Sequence, residues 1–269
     1  MHEFEWTNSD FTRIQRLIYQ HAGISLHDGK HAMVYSRLAR RLRDTGFTTF
    51  RDYLSWLETD HGTEMQEFIN ALTTNLTSFF RERHHFQILK EHLQRNVDKH
   101  GWKVWCCAAS TGEEPYSIAM TFADVLANTG DFNIYASDID SKVLVTAANG
   151  IYRQDDLKNV SEDYKKKFFL RGKSQNFGLV RVKQALQNQI KFLNVNLVSS
   201  SWPFDKILFD IVFCRNVMIY FDNDTQRKVM EHIHRMMVPK GLLFVGHAEN
   251  FSDLSDLFLM KGKTTYEKV

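Results

Sequence analysis

Two carboxylates, Glu113 and Glu114, follow a tight turn of small residues, Ser110-Thr111-Gly112, which itself follows an apolar run, Val104 to Ala109. A second acidic pair closes the next apolar run, where Asn133 to Ala136 leads into Ser137-Asp138-Ile139-Asp140. Asn196-Leu197 end a third run, Gln189 to Val195, and Arg215-Asn216 end a fourth, Asp210 to Cys214. Parallel strands carry ligand-binding residues at their carboxyl ends, and Glu114, Asp138, Asn196, Arg215 and Asn216 all fall at such ends. Strand, turn and helix over 104–118 is the opening of a mononucleotide-binding βαβ unit. It has no G-x-G-x-x-G, and carboxylates stand where a pyrophosphate would meet the helix N-terminus. The spacing excludes a dinucleotide and favours a ligand with a ribose and a cationic end.

An acid at the end of the second strand is the usual acceptor for ribose hydroxyls. Here Asp138 or Asp140 could equally cap the helix that starts near Ser141. An ammonium and a sulfonium beside Glu114 fit S-adenosylmethionine (SAM). Other chemistries find no support. There is no C-x-x-C pairing, and the adjacent His84 and His85 are expected on different helical faces, as are His232 and His234. No metal is therefore expected. There is no G-x-S-x-G and no Walker lysine. Cys106 and Cys107 lie inside an apolar strand, which suits core thiols better than a nucleophile.

The elements that position these residues come in two kinds. The first part of the chain has only helical periodicity. Asn8 or Ser9 can cap a helix with Phe11, Ile14, Leu17 and Ile18 on one face. A second helix, Lys30 to Thr45, aligns Val34, Leu38 and Leu42 and stops at Gly46. A third carries Phe50, Tyr53, Leu54 and Leu57, and a fourth Met65, Phe68, Ile69 and Leu72. On the second helix Arg37, Arg40 and Arg41 share an arc, with Arg43 beside it. A solvated face and a docking surface for an acidic partner are the two readings of that arc. The expected organisation is an all-α domain over 1–72, a linker and connecting helix over 73–98, and an α/β domain over 99–269. A small β-subdomain is expected as an insert at about 171–194. A helix from Thr225 to Val238, a strand from Leu242 to Gly246 and a final antiparallel strand, Thr264 to Lys268, complete the pattern.

The 43% apolar content supports a substantial core, and a net charge of +2 argues against a whole-protein field for nucleic acid. Three cysteines, all in apolar runs, suit a reducing, cytoplasmic setting. The first residues lack a signal-peptide core and no run is long enough to span a bilayer. A cytoplasmic monomer that is not inserted in the membrane is the expectation.

Several segments together resemble the CheR family, the chemotaxis receptor methyltransferases. They are Ile69 to Thr77 (INALTTNLT) with Phe79-Phe80-Arg81-Glu82, Ala108 to Ala119 (AASTGEEPYSIA), Ser137 to Asp140 (SDID), Cys214 to Phe221 (CRNVMIYF) and Gly246 to Ser252 (GHAENFS). Ala248 stands where the family often has Ser. The resemblance implies a helical N-terminal domain, a Rossmann-like SAM domain and an inserted β-subdomain. It implies SAM contacts at Asn75, Thr77, Arg81, Glu114, Asp138, Asn196, Leu197, Arg215 and Asn216, with Arg81 and Tyr220 at the point of methyl transfer. Arg81 could pair with the carboxylate of the cofactor or of the substrate. The arginines at 37, 40, 41 and 43 correspond to the receptor-docking surface, and the loop with Gln175 and Phe177 to a subdomain that in some members grips a receptor's C-terminal peptide.

The implied reaction transfers methyl from SAM to glutamate side chains of chemoreceptors and leaves S-adenosylhomocysteine (SAH). A glutamate with a pKa of about 4.3 is ionised at neutral pH, so no general base is required. A NAD-type oxidoreductase shares the ribose acid but requires the missing glycines. A catalytically silent SAM-fold adaptor that binds receptors is a second alternative, distinguished by loss of SAH binding, and a small-molecule or nucleic-acid methyltransferase is a weaker third, since no aromatic-basic strip for bases is evident.

Overall fold

The computed structural model describes residues 3–59, 62–126, 131–204, 206–249 and 254–269. Four helices open it: α1 (Asn8–Ala22), α2 (His31–Thr45), α3 (Phe50–Thr59) and α4 (Thr63–Leu72). The cap of α1 is Thr7, one residue before the expected pair. Its hydroxyl accepts the Asp10 N–H while the Asp10 carboxylate accepts the Thr7 N–H, a reciprocal arrangement that satisfies two orphan donors. Gly23 and Gly46 end α1 and α2 at φ 69° and 79°, where a β-carbon would be strained. The apolar stripes expected on all four helices are buried.

The helix α5 (His84–Arg95) leads into β1 (Trp102–Cys106), α6 (Glu113–Val125), β2 (Phe132–Asp138) and α7 (Ser141–Asn149). After an excursion come β6 (Ile190–Asn194), β7 (Phe209–Cys214), α10 (Asn223–Arg235), β8 (Met237–Val245), β9 (Phe258–Gly262) and β10 (Thr265–Lys268). They form one sheet in the order β6-β2-β1-β7-β8-β10-β9. The first five are parallel and β10 runs antiparallel between β8 and β9. The excursion holds β3 (Ile151–Arg153), α8 (Glu162–Phe168), β4 (Phe169–Arg171), β5 (Leu179–Val182) and α9 (Gln184–Gln187), with a separate antiparallel sheet, β3-β5-β4.

Three expectations change. The small sheet covers 151–182, not 171–194, because β6 pairs with β2 in the main sheet. Its outer strands are only three residues long, too short for alternation to register. The helix expected to reach Val238 ends at Arg235, and β8 starts at Met237 with Pro239 inside it. The pairing of β7 with β8 shifts between Phe209 and Ile211, so the proline sits at an irregularity where its missing N–H disrupts no regular ladder. The strand β9 completes a hairpin with β10 that the apolar pattern did not show.

The sheet is covered on both sides, and the two cores differ. One cluster joins α1–α4 to a sheet face through Trp105, Val212, Leu243 and Val245. The other packs α5, α6 and the small sheet on the opposite face, around Val104, Cys106, Ile211 and Phe213. The helical domain thus shares its core with the sheet. Among the described residues no helix is long and apolar enough to cross a membrane.

Candidate active site

At the carboxyl ends of the central strands lies a cleft of about 310 Å³, within the range of small-molecule sites. Asn75, Thr77, Arg81, Glu114, Asp138, Asn196, Leu197, Arg215, Asn216 and Tyr220 all line it, so the expected residues converge on one place.

The end of β2 separates the roles of its two acids. Asp140 caps α7, accepting the N–H groups of Lys142 and Val143. Its other oxygen accepts from Thr73 Oγ1 (2.9 Å) and Asn75 Nδ2 (2.8 Å), tying the interdomain segment to the strand end. Asp138 is left facing the cleft. Its oxygens accept the N–H groups of Ser110 (2.8 Å) and Asp140 (2.9 Å), and a carboxylate has room for further donors. Burial pushes its pKa up to about 6, against those backbone bonds.

The end of β7 is built around a buried cation. The Arg215 side chain is 0% exposed. Its guanidinium pairs with Glu114, lies 3.4 Å from Glu82 Oε2 and donates to the Arg81 carbonyl (2.7 Å). Glu114 also accepts from the Cys106 thiol at 3.3 Å. Burial would raise the Glu82 carboxyl, but the charge of Arg215 and the His247 N–H bring it below its ordinary value. The Nε of Arg215 is buried with no hydrogen-bond partner among the described residues. Glu113 is turned away: it accepts from Thr111 Oγ1, and burial raises its pKa. Only Glu114 of the pair therefore lines the cleft.

The remaining residues join the two domains. Asn196 donates to the His21 carbonyl (2.6 Å) and accepts the Val198 N–H, so its amide fastens the end of α1. Tyr220 lies on a 3-10 turn, Met218–Tyr220, and its carbonyl accepts the Ser25 N–H at 2.8 Å. Arg81 Nη1 donates to the Leu76 carbonyl.

The arginines of α2 fall into two groups. Arg41 is paired with Glu64 at 2.6 Å, both side chains largely buried. Arg37 donates to the carbonyls of Leu72 and Thr73, at the start of the cleft-lining segment. Arg40 and Arg43 are exposed, near Asp44 and Glu3 respectively. Phe177 is 87% exposed at the tip of the small sheet.

Sequence reasoning missed the contribution of the connection between α1 and α2 and of the first turn of α2. Ser25, Leu26, His27, Lys30 and Met33 line the cleft, and no periodicity or motif marks them. It also separated His84 from His85, whose rings lie 4.2 Å apart where α5 begins. With Glu82 they bring three ligand atoms within 4.8 Å of one another. Glu82 is already engaged by the Arg215 guanidinium 3.4 Å away, and burial brings the pKa of His85 down to about 3, so its ring is neutral beside that ion pair. Of the GHAENFS segment, residues 250–252 lie outside the described residues.

The donor set fits SAM. Asp138 would serve as a strand-end acceptor for ribose hydroxyls, the Arg215 Nε, without a partner among the described residues, would donate to a carboxylate, and Glu114 would complement a cation. The strand order with its reversed penultimate strand, and strand-end carboxylates without phosphate-binding glycines, fit a nucleotide-cofactor transferase of the methyltransferase class. Residues 75–267 match the family described as CheR methyltransferase, SAM binding domain, and residues 9–73 match its all-alpha domain. The chain belongs to the CheR methyltransferase family. It is 50% identical over 262 residues to the chemotaxis protein methyltransferase of Escherichia coli, across 97% of this chain and 91% of that one. It is 51% identical to the protein of the same name from Salmonella typhimurium, across 97% and 90%. Chemotaxis protein methyltransferase 2 of Pseudomonas aeruginosa is 45% identical, across 98% and 94%. The chain is a SAM-dependent methyltransferase.

Proposed function

We propose that this protein methylates glutamate side chains on the cytoplasmic domains of membrane chemoreceptors, forming 5-O-methyl esters with SAH as the other product. The observation that carries the reading is the convergence of Asp138, Glu114, Arg215, Arg81 and Tyr220 on one cleft. SAM, when bound, supplies a methyl group made electrophilic by its sulfonium. The protein's part is binding and alignment. Asp138 would hold the ribose, and Asn75, Thr77, Asn196, Leu197 and Asn216 would complete the cofactor's surroundings. Arg81 would orient a carboxylate and Tyr220 the incoming glutamate. A carboxylate acceptor is already ionised, so the site has only to place it and exclude water.

The docking surface rests on Arg40 and Arg43, whose exposed charges suit an acidic receptor helix, with Arg37 and Arg41 holding the surface in shape. A receptor's C-terminal peptide would add to an edge strand of the small sheet, β3 or β4, beside Phe177. The protein would act as a cytoplasmic monomer. Peptide mapping of receptor-bearing membranes incubated with SAM tests the proposal. Methyl esters on receptor glutamates are expected, and methyl groups on other side chains or none would overturn it.

A further inference from the structure

We propose that Glu249 is a positioning residue of the active site, clasping the turn that presents Arg215, Asn216 and Tyr220 to the cleft. Glu249 is 5% exposed and does not line the cleft itself. Its Oε1 accepts the N–H groups of Val217 (2.9 Å) and Met218 (2.8 Å), and its Oε2 those of Asn216 (3.0 Å) and Gly246 (2.5 Å). Three successive amides converge on one carboxylate, an anion-binding nest with the protein's own side chain as the anion. Such a curl needs a left-handed residue, and Asn216 supplies it at φ 59°. Burial raises the pKa of Glu249, and the four N–H groups oppose that rise.

The surroundings hold the clasp closed. A β-carbon on Gly246 would lie 2.5 Å from Asn216 Nδ2 and 2.7 Å from Glu249 Oε2, so only glycine lets the two segments meet. The His247 N–H donates to Glu82 Oε1, whose other oxygen faces Arg215. The turn after β7 is thus gripped through its amides by Glu249 and through its guanidinium by Glu82 and Glu114. The 3-10 turn bearing Tyr220 starts at Met218, the last amide held.

The inference rests on this cleft being the SAM site, and one series of variants of the full chain separates the two. SAH binding is titrated calorimetrically, methyl transfer is resolved into kcat and KM for SAM, and amide exchange is followed over 215–221. Glu249→Gln replaces one acceptor oxygen by a donor. It is expected to raise the SAH Kd and the KM for SAM about tenfold or more, as lost supporting contacts do elsewhere, and to speed exchange of the 216–218 amides. Glu249→Asp keeps the charge on a shorter stem that cannot span all the donors, and is expected to fall between. Asp210→Asn is the control. Asp210 is equally buried but holds Lys99 and the Lys103 N–H, away from the cleft. It is expected to lower Tm with the SAH Kd unchanged. A wild-type Kd in Glu249→Gln, with Tm lowered as in the control, would overturn the proposal. Should Glu249→Gln not fold, a wild-type Kd and wild-type exchange in Glu249→Asp would do so. Unchanged SAH binding in Asp138→Asn and Arg215→Met would instead refute the site.

Discussion

The cleft has two walls built in opposite ways. At the end of β2 neutral donors do the holding: Asp138 accepts the N–H groups of Ser110 and Asp140, and Asp140 caps the helix that follows while accepting from Thr73 and Asn75. At the end of β7 the holding is done by charges. Arg215 is neutralised by Glu114 and Glu82, and the next three amides are held by Glu249, all far along the sequence. Backbone N–H donors alone place the single carboxylate of Asp138. Holding a buried guanidinium needs opposite charges from other elements, since its desolvation is otherwise uncompensated. The first wall should therefore tolerate loss of its charge, and the second should not.

Arg215→Met gives the largest effect expected. It leaves Glu114 and Glu82 buried without their cation, which costs about 3–5 kcal/mol. A lower urea midpoint and loss of SAH binding are expected; an unchanged midpoint would dissolve the contrast between the walls. Asp138→Asn should weaken SAH binding by roughly 10- to 100-fold, the scale of a hydrogen bond to a charged group, without lowering Tm.

The pH dependence sharpens the same point. Asp138 is raised from 3.8 to about 6, so between those values the folded protein keeps a proton that the unfolded chain has released. Its contribution to stability is therefore present below pH 3.8 and declines as pH rises toward 6. Cofactor binding should follow the opposite sign, because the ionised form is the better acceptor for ribose hydroxyls. SAH affinity should fall as pH drops below about 6 in the wild type, and this component should vanish in Asp138→Asn. Calorimetry in buffers of different ionisation enthalpy would register proton release on binding near pH 6.

The smallest effects fall on α2. Arg40→Ala and Arg43→Ala should leave stability within about 0.5 kcal/mol and raise the KM for receptor several-fold at low salt. Arg41→Ala should instead destabilise the fold, because it strands Glu64. Equal effects of all three on stability would erase the division within the stripe.

What could be read from the sequence follows the same contrast. The helices α1–α4 declared themselves by spacing, and the strand ends by apolar runs closing in polar residues. Asp138 and Asp140 remained interchangeable, because choosing between cap and ligand acid depends on which oxygen reaches the next helix. The pairing of Arg215 with Glu114 was invisible, since spacing carries no information on partners from distant elements. Glu249 lay within a segment that supported the family resemblance, yet nothing local gave it a task. The small sheet was misplaced because strands of three residues have no period to read. Ser25 to Met33 were missed because a lining segment from another domain is defined by the assembled core alone.

The central claim is tested most directly by transfer of labelled methyl from SAM to receptor-containing membranes, counted as base-labile label released as methanol. Label on the receptor band, lost when the receptor's acceptor glutamates are changed to alanine, is the result expected. Label that persists in those receptor mutants, or no transfer and no SAH binding, would contradict it.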